Sequence, residues 1–304
     1  MVEIHLNGLD NSRAAHIPRE CLVRMQSIYP VAKRAERSAV EFLAQNPERV
    51  PDLSIVDFAA QAGCSEATVV RLSKRLGYEG FPELKRDFAK STASVDTTTY
   101  SEHNFVYADI GTGDRPLDVL QKVIQATIDG LHDTLNILSY EDYDACVDRI
   151  STATRLLFVG LGDASTVALE ARQRFLRAGK IADAPLDADT QLMIASRLQA
   201  GDVFVGISHS GRSRNVVEAA RLAKLNGATV IAITNAPVSP LTKKSDHVLL
   251  TAVFTRYLKG ELIAKRIAEL CIIESLFANY VNRQGAEVVE RLRKSEESVE
   301  HNKL

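Results

Sequence analysis

Short apolar segments alternate with segments of helical spacing through the second half of the chain, and this alternation constrains the fold more than any other feature. The apolar segments cover residues 156–160, 180–185, 203–207, 229–233 and 248–253. Short apolar runs of this kind are typical of strands that are buried on both faces. Strands separated by helices pair in parallel, and the helices cover both faces of the sheet. We therefore predict an α/β domain built on a five-stranded parallel sheet.

The third predicted strand ends in a serine-rich turn at residues 208–213, which we call the serine turn. Ser208, Ser210 and Ser213 surround Gly211, which lets the backbone turn tightly and come close to a ligand. Ser213 stands at the N-cap position of the helix that follows. Hydroxyl groups and free N–H groups at a helix start form an anion site, most often for phosphate. The alternative is a turn that caps the helix and binds nothing.

A second polar turn follows the first predicted strand, with Gly160, Gly162 and Ser165 in the sequence GLGDAST. In open parallel sheets, ligands bind at the carboxyl ends of the strands, near the point where the strand order reverses. We therefore expect this turn to form the second wall of the same pocket, with Gly162 and Ser165 as contacts. A single G-x-G is a weak motif by itself.

Residues 54–77 contain two short helical segments joined by a tight turn at Gly63, and Val69, Leu72 and Leu76 mark the inward face of the second segment. Helices joined in this way form a helix-turn-helix, whose second helix enters the major groove of DNA. Lys and Arg on that helix neutralise phosphates, and side chains near its start reach base edges. The predicted DNA contacts are Ser65, Glu66, Thr68, Arg71, Lys74 and Arg75. A small helical bundle with a solvated charged face remains the alternative.

Both motifs resemble those of known families. The pattern S-x-S-G-x-S of the serine turn is similar to the phosphate loop of the sugar isomerase (SIS) domain. The segment 63–85, GCSEATVVRLSKRLGYEGFPELK, resembles the signature of RpiR-type transcriptional regulators. In that family an N-terminal helix-turn-helix domain precedes a C-terminal SIS domain. The resemblance covers residues 22–285 in this order.

The resemblance implies a flavodoxin-like αβα sandwich that binds a phosphosugar, with the hydroxyls of the serine turn on the phosphate. One position departs from the family pattern, because Ala164 stands where a serine is usual; Ser165 or Thr166 is the candidate to replace it. The predicted ligand contacts are Ser208, Ser210, Gly211, Ser213, Ser165, Gly162, His209 and Glu261.

A chain of 304 residues is expected to form two domains. We predict a leader at 1–20, a helix-turn-helix domain at 21–90, a polar linker at 91–115, a SIS domain at 116–285 and a tail at 286–304. The four cysteines are far apart, which excludes a disulfide framework and a C-x-x-C metal site. The apolar runs are too short to span a membrane. We expect a cytoplasmic protein that needs neither a metal nor a cofactor.

These features predict a transcriptional regulator of carbohydrate metabolism, not an enzyme. Its expected partners are operator DNA, a phosphorylated sugar or sugar acid as effector, and a second copy of the chain in a homodimer or higher oligomer. The alternative is an aldose–ketose isomerase acting on a sugar phosphate. Isomerisation needs a positioned base. His209 and Glu261 are the candidates, and they do not form a complete acid–base pair.

Overall fold

The computed structural model of the protein describes residues 16–93, 110–111, 113–252 and 263–302. The chain divides into two compact units, one with the described residues up to Lys122 and one with those from Val123 onward. Each unit has a hydrophobic core of its own. Most of the predicted linker lies outside the described residues, so its character stays a prediction.

The first unit is helical, and the predicted helix-turn-helix is confirmed. Its helices are α1 (Arg19–Ile28), α2 (Arg34–Gln45), α3 (Ile55–Ala62), α4 (Glu66–Arg75) and α5 (Phe81–Ala93). Helix α3 begins at Ser54, whose hydroxyl accepts a hydrogen bond from the Asp57 amide at 3.1 Å, and ends at Gly63 with φ of +64°. Helix α4 begins after Ser65, whose hydroxyl accepts the Thr68 amide at 3.2 Å.

Apolar and aromatic side chains hold the two helices of the motif against the rest of the first unit. Val69 and Leu72 on α4 are each 1% exposed, as their spacing predicted. The ring of Phe58 on α3 contacts Phe42 and Phe81, with centroid distances of 5.0 and 5.2 Å. Aromatic pairs at such distances add stability beyond the area they bury. This core fixes the direction in which α4 presents its outer face.

An ion pair with a buried carboxylate joins the end of α4 to α2. Glu36 is 3% exposed, and its Oε2 lies 2.6 Å from Nη1 of Arg75. A buried charge costs free energy unless it is paired and hydrogen-bonded. Arg75 therefore has a structural role in the first unit, although its side chain is 39% exposed. The side chain of Arg71, one turn earlier on α4, is also exposed.

The second unit is built on a five-stranded parallel sheet in the described residues, and the predicted fold class is confirmed. The strands are β1 (Arg155–Val159), β2 (Ile181–Asp183), β3 (Val203–Ile207), β4 (Thr229–Thr234) and β5 (His247–Leu250). They lie in the flavodoxin-like order β2-β1-β3-β4-β5. After β2 the chain crosses to the other side of β1, so the order reverses between β1 and β3. This reversal is the switch point at which open α/β sheets bind ligands.

Helices form a layer on each face of the sheet. Helix α6 (Pro116–Ile137) crosses the boundary between the two units. The helices of the layers are α7 (Tyr140–Thr152), α8 (Asp163–Arg177), α9 (Ala188–Ala195), α10 (Arg214–Leu225), α11 (Ile263–Gln284) and α12 (Ala286–Glu297). Alternate residues of a strand face opposite layers. Leu156 and Phe158 pack in a core with residues of α7, α8 and α11. Leu157 and Val159 pack in the other core, with residues of α9 and α10.

Two predicted boundaries differ from the structure. The expected tail at 286–304 contains α12, and Val288 on this helix is 2% exposed within the core of the second unit. The expected leader at 1–20 includes Ile17, which is 2% exposed within the core of the first unit; residues 1–15 lie outside the described residues. In both cases the buried side chain packs on elements distant in sequence, which local periodicity does not reveal.

Replacing Arg75 with alanine leaves the Glu36 carboxylate buried without its partner. We expect the free energy of unfolding of the first unit to fall by about 1.5–3 kcal/mol, the range for a hydrogen bond to a charged group. Calorimetry on the full chain measures this. Arg71→Ala is the matched control and should change stability by less than about 0.5 kcal/mol. Equal unfolding temperatures for the two variants would contradict the structural role of Arg75.

Candidate functional site

The serine turn and the turn after β1 lie side by side at the switch point. Val159, the last residue of β1, pairs with Gly206 near the end of β3. Because the two strands are parallel neighbours, the turns that follow them leave the same edge of the sheet. The structure therefore brings together the two predicted walls of the pocket.

Two hydroxyls of the serine turn meet at the start of α10. The Oγ atoms of Ser208 and Ser213 are 3.1 Å apart, and Ser208 is 3% exposed. Ser213 occupies the N-cap position, but its side chain makes no capping hydrogen bond to the α10 amides. The first amides of a helix have no partner within the helix. Hydroxyls and amides of this kind suit an anion. Ser210 is exposed, and its Oγ accepts the Arg212 amide at 3.3 Å.

Gly211 is required at its position for two reasons. Its φ is +60°, which disfavours residues with a side chain. A Cβ atom there would also lie 2.2 Å from Oγ of Ser239. The Gly211 carbonyl accepts the Leu241 amide at 3.1 Å. The serine turn is therefore held closely against the segment that follows β4.

His209 is anchored through its backbone, and its ring is uncharged at neutral pH. Its carbonyl accepts hydrogen bonds from Oγ1 of Thr234 at 3.2 Å and from the amide of Asn235 at 3.0 Å. Burial, assisted by the charge of Lys265, lowers the pKa of His209 to about 4. The Nδ1 atom is buried and has no hydrogen-bond partner among the described residues. His209 therefore brings no positive charge to the serine turn at neutral pH.

The turn after β1 uses its hydroxyls within itself. Gly162 is the N-cap of α8, with φ of +58° and no side-chain cap. The Ser165 hydroxyl donates to the Gly162 carbonyl at 2.6 Å, and the Thr166 hydroxyl donates to the Asp163 carbonyl at 2.7 Å. Both hydroxyls that could replace the family serine at Ala164 therefore already donate hydrogen bonds within the turn. Ligand contacts by Gly162 and Ser165 stay predictions, and Glu261 lies outside the described residues.

Gln191 joins the two walls, and the sequence analysis missed it. This side chain on α9 is fully buried, and its Nε2 donates to the Gly160 carbonyl at 3.1 Å. Its Oε1 accepts Nδ2 of Asn215, in the first turn of α10, at 2.6 Å. The available signal was a lone glutamine directly before the apolar residues 192–194. Such a residue in a packed helix needs buried hydrogen-bond partners.

The first turns of α11 add a charged cluster to the site. Glu269 is 2% exposed. Burial raises its pKa to about 7; Asp163 acts in the same direction, and Lys265 and Arg266 oppose it. The Nη1 atom of Arg266 lies 3.7 Å from Oδ1 of Asp163, the first residue of α8. This face of α11 therefore connects with the turn after β1.

No group of three or more His, Cys, Asp or Glu side chains is arranged to hold a metal ion in the part of the chain that the structure describes. None of the helices described is long and apolar enough to cross a lipid bilayer.

On the helix-turn-helix, the structure gives the six predicted DNA contacts three different settings. Glu66, Arg71 and Lys74 are exposed on α4. Thr68 is 7% exposed, and its hydroxyl lies 2.9 Å from that of Ser65, so these two residues form the cap of α4. Ser65 and Arg75 are exposed as well, but Ser65 caps α4 and Arg75 pairs with a buried carboxylate. All six contacts stay predictions.

Comparison with known proteins decides the family. The sequence matches the helix-turn-helix domain of the rpiR family over residues 20–95 and the SIS domain over residues 149–277. HexR of Pseudomonas aeruginosa, an HTH-type transcriptional regulator, is 34% identical over 284 residues, which are 92% of this chain and 96% of that protein. The chain belongs to the RpiR family of transcriptional regulators. The predicted family and the order of its two domains are confirmed.

Other relatives of this RpiR-family regulator agree. RpiR of Escherichia coli is 30% identical over 226 residues, 74% of each chain. The structure of Vibrio vulnificus NanR complexed with ManNAc-6P superposes with a TM-score of 0.57 at 26% identity, and the match covers 92% of this chain and 97% of that one. The sugar isomerase domain of an RpiR transcription factor from Sphaerobacter thermophilus has a TM-score of 0.54 at 24% identity and covers 59% of this chain, which supports the fold alone.

The raised pKa of Glu269 predicts how the regulator's stability depends on pH. Between the ordinary carboxyl pKa of 4.5 and the folded value of about 7, the folded protein keeps a proton that the unfolded chain has released. Stability therefore falls as the pH rises through this window and stays lower above it. We expect Glu269→Gln to be more stable than the parent by roughly 2–3 kcal/mol at about pH 8.

Denaturant unfolding at several pH values measures this difference, which should shrink towards pH 4.5, the ordinary value of the carboxyl. Glu274→Gln is the matched control, because Glu274 lies on the same helix with an exposed side chain. A pH-independent difference between Glu269→Gln and the parent would refute the raised pKa.

Proposed function

We propose that this regulator binds a phosphorylated sugar or sugar acid at the serine turn, and that binding changes its affinity for operator DNA. The observation that carries the proposal is the pair of hydroxyls on Ser208 and Ser213, 3.1 Å apart at the switch point of the sheet. Vibrio vulnificus NanR, whose structure in complex with ManNAc-6P is similar over most of the chain, supports it.

The groups around the serine turn suit phosphate chemically. Ser208 and Ser213 supply hydroxyl donors, and the first amides of α10 point from the positive end of the helix. Arg212 and Arg214 are exposed beside them and add positive charge, a feature that the sequence analysis did not use. Hydrogen bonds to an anion are shorter and stronger than those between neutral groups. We propose Ser210, Gly211, Gly162 and Ser165 as further contacts.

We propose that the chain is not an enzyme. Isomerisation of a sugar phosphate needs a base whose pKa lies near the working pH. His209, with a pKa of about 4, is a weak base. Glu269, with a pKa of about 7, is closer to the working pH and is the residue to replace in a test of the isomerase alternative. Turnover of hexose or pentose phosphates that disappears in Glu269→Gln would favour the isomerase.

Alanine at Ser208 or Ser213 removes one hydroxyl donor from the proposed phosphate site. We expect each variant to bind sugar phosphates more weakly by about 1.5–3 kcal/mol, or roughly 10–100-fold. Titration calorimetry with inorganic phosphate and a panel of sugar phosphates measures the loss. Ser196→Ala, which removes an exposed hydroxyl beyond the end of α9, is the control. Unchanged affinity in both test variants would place the phosphate elsewhere.

DNA titration tests the exposed face of α4. If Arg71 or Lys74 contacts a phosphate, alanine there should weaken binding to all sequences and reduce the salt slope by about one. If Arg71 instead pairs with a guanine, about 1–3 kcal/mol of discrimination at one base pair should be lost. Operator obtained by in vitro selection and random DNA serve as probes. Lys224→Ala, in the second unit, is the charge-matched control. Wild-type affinity and slope in both test variants would exclude this face.

We propose that the regulator is a homodimer, because one helix-turn-helix reads a single half-site.

Helix α6 carries an apolar stripe on one face. Its exposed members are Leu117, Leu120, Ile124, Ile128 and Leu135. Spacings of three and four residues place them within roughly 80° of arc on the helix. Large exposed apolar patches mark interaction sites. Leu117 and Leu135 are equidistant from residue 126, and so are Ile124 and Ile128. If two copies of α6 pack antiparallel about this residue, Leu117 of one copy therefore lies opposite Leu135 of the other.

Aspartate at Ile124 places a charge in the middle of this stripe. We expect Ile124→Asp to be monomeric in light scattering and to keep its affinity for inorganic phosphate. Its affinity for a two-half-site operator should fall by about 10²–10⁴-fold, because two linked readers bind through effective concentration. Gln121→Asp, beside the stripe, is the control for the added charge. An Ile124→Asp variant that stays dimeric would show that α6 is not the dimer contact.

A further inference from the structure

A polar face of α11 adjoins both turns of the phosphate pocket. Lys265, Arg266 and Glu269 share this face, because residues three and four apart on a helix are neighbours. The charge of Lys265 acts on the ring of His209 in the serine turn. Arg266 reaches Asp163 at 3.7 Å, at the start of α8. The face therefore spans from one wall of the pocket to the other.

Two side-chain nitrogens beside this face are buried without a hydrogen-bond partner in the part of the chain that the structure describes. The Nδ1 atom of His209 and the Nε atom of Arg266 are buried and have no partner among the described residues. Glu269 is 2% exposed, and its carboxyl carries the cost of burial as a raised pKa. Buried polar groups in folded proteins are normally paired, so unpaired ones need an explanation. Perturbed groups collected beside a pocket are typical of a site that binds a ligand.

We propose that Glu269 and Arg266, together with His209, form a subsite that hydrogen-bonds the hydroxyl groups of the effector at the end away from its phosphate. The inference rests on the proposed function, since the serine turn must hold the phosphate. Sugar hydroxyls both donate and accept, so they match this mixed set. They donate to the Glu269 carboxylate and accept from the Arg266 Nε–H. An apolar group would leave the Nδ1 atom of His209 and the Nε atom of Arg266 without a partner. The ligand class is therefore a phosphate attached to a polyhydroxylated carbon chain.

The subsite gives the pocket two parts with separate tasks. The serine turn recognises the phosphate that every candidate effector shares. The α11 face distinguishes candidates by their hydroxyls, because a buried polar group that is left unpaired by the wrong ligand lowers affinity. Glu269 is then a specificity-determining residue. Replacing it should leave the affinity for inorganic phosphate unchanged.

Titration calorimetry on the full chain with two kinds of probe tests this division. The probes are inorganic phosphate and the phosphates of glucose, fructose and gluconate esterified at carbon six. We expect at least one sugar phosphate to bind the parent more tightly than inorganic phosphate does. In Glu269→Gln the affinity for that sugar phosphate, relative to the affinity for inorganic phosphate, should fall about 10-fold. This is the contribution of one hydrogen bond to a charged group. In Glu269→Leu the relative affinity should fall further, while both variants bind inorganic phosphate as the parent does.

Glu274→Gln, which removes a carboxylate from the same helix, should behave like the parent. If inorganic phosphate and the sugar phosphates all fail to bind the parent, the proposed function fails and the subsite fails with it. If inorganic phosphate binds but no sugar phosphate binds more tightly, or if the advantage survives in Glu269→Leu, the subsite alone is overturned. Weakened binding of inorganic phosphate in both Glu269 variants, with Ser213→Ala neutral, would instead place the phosphate at α11.

Discussion

The parallel pairing of β1 with β3 determines where the other parts of the proposed phosphate site lie. Backbone hydrogen bonds bring Val159 opposite Gly206, so the two strands end together and their turns emerge side by side. Gln191 adds hydrogen bonds to the Gly160 carbonyl and to Asn215, and so links the turns directly. Groups held at strand ends and by buried hydrogen bonds are fixed before a ligand arrives. Less ordering is then needed on binding.

The pocket combines this rigid frame with unfavourable electrostatics. Burial raises the pKa of Glu269 and lowers that of His209, so in both residues the charged form is the disfavoured one. Neither shift helps the second unit to fold at neutral pH. Proteins depart from favourable burial mainly at functional sites. His209 lies in the serine turn, and Glu269 lies on the face of α11 that reaches the turn after β1, so both residues belong to the proposed site.

Helix α4 packs into a core with one face and leaves its other face exposed. Its inner face carries Val69 and Leu72 in the core, and Arg75 at its end neutralises the buried Glu36. Its outer face leaves Arg71 and Lys74 exposed. The contacts of the inner face orient the outer one.

The sequence by itself determined the features that depend on neighbouring residues: the two helices of the helix-turn-helix, the five strands, and the serine turn before α10. Backbone preferences and the spacing of apolar residues act over a few positions, so a local pattern is enough to predict them. Only the tertiary structure decided the roles of Gln191, which meets Asn215 from 24 residues away, and of Arg75, which meets Glu36 from 39 residues away. The burial of Glu269 belongs to the same group. Whether a polar side chain is paired or left unpaired depends on groups that only the folded chain brings within hydrogen-bond distance.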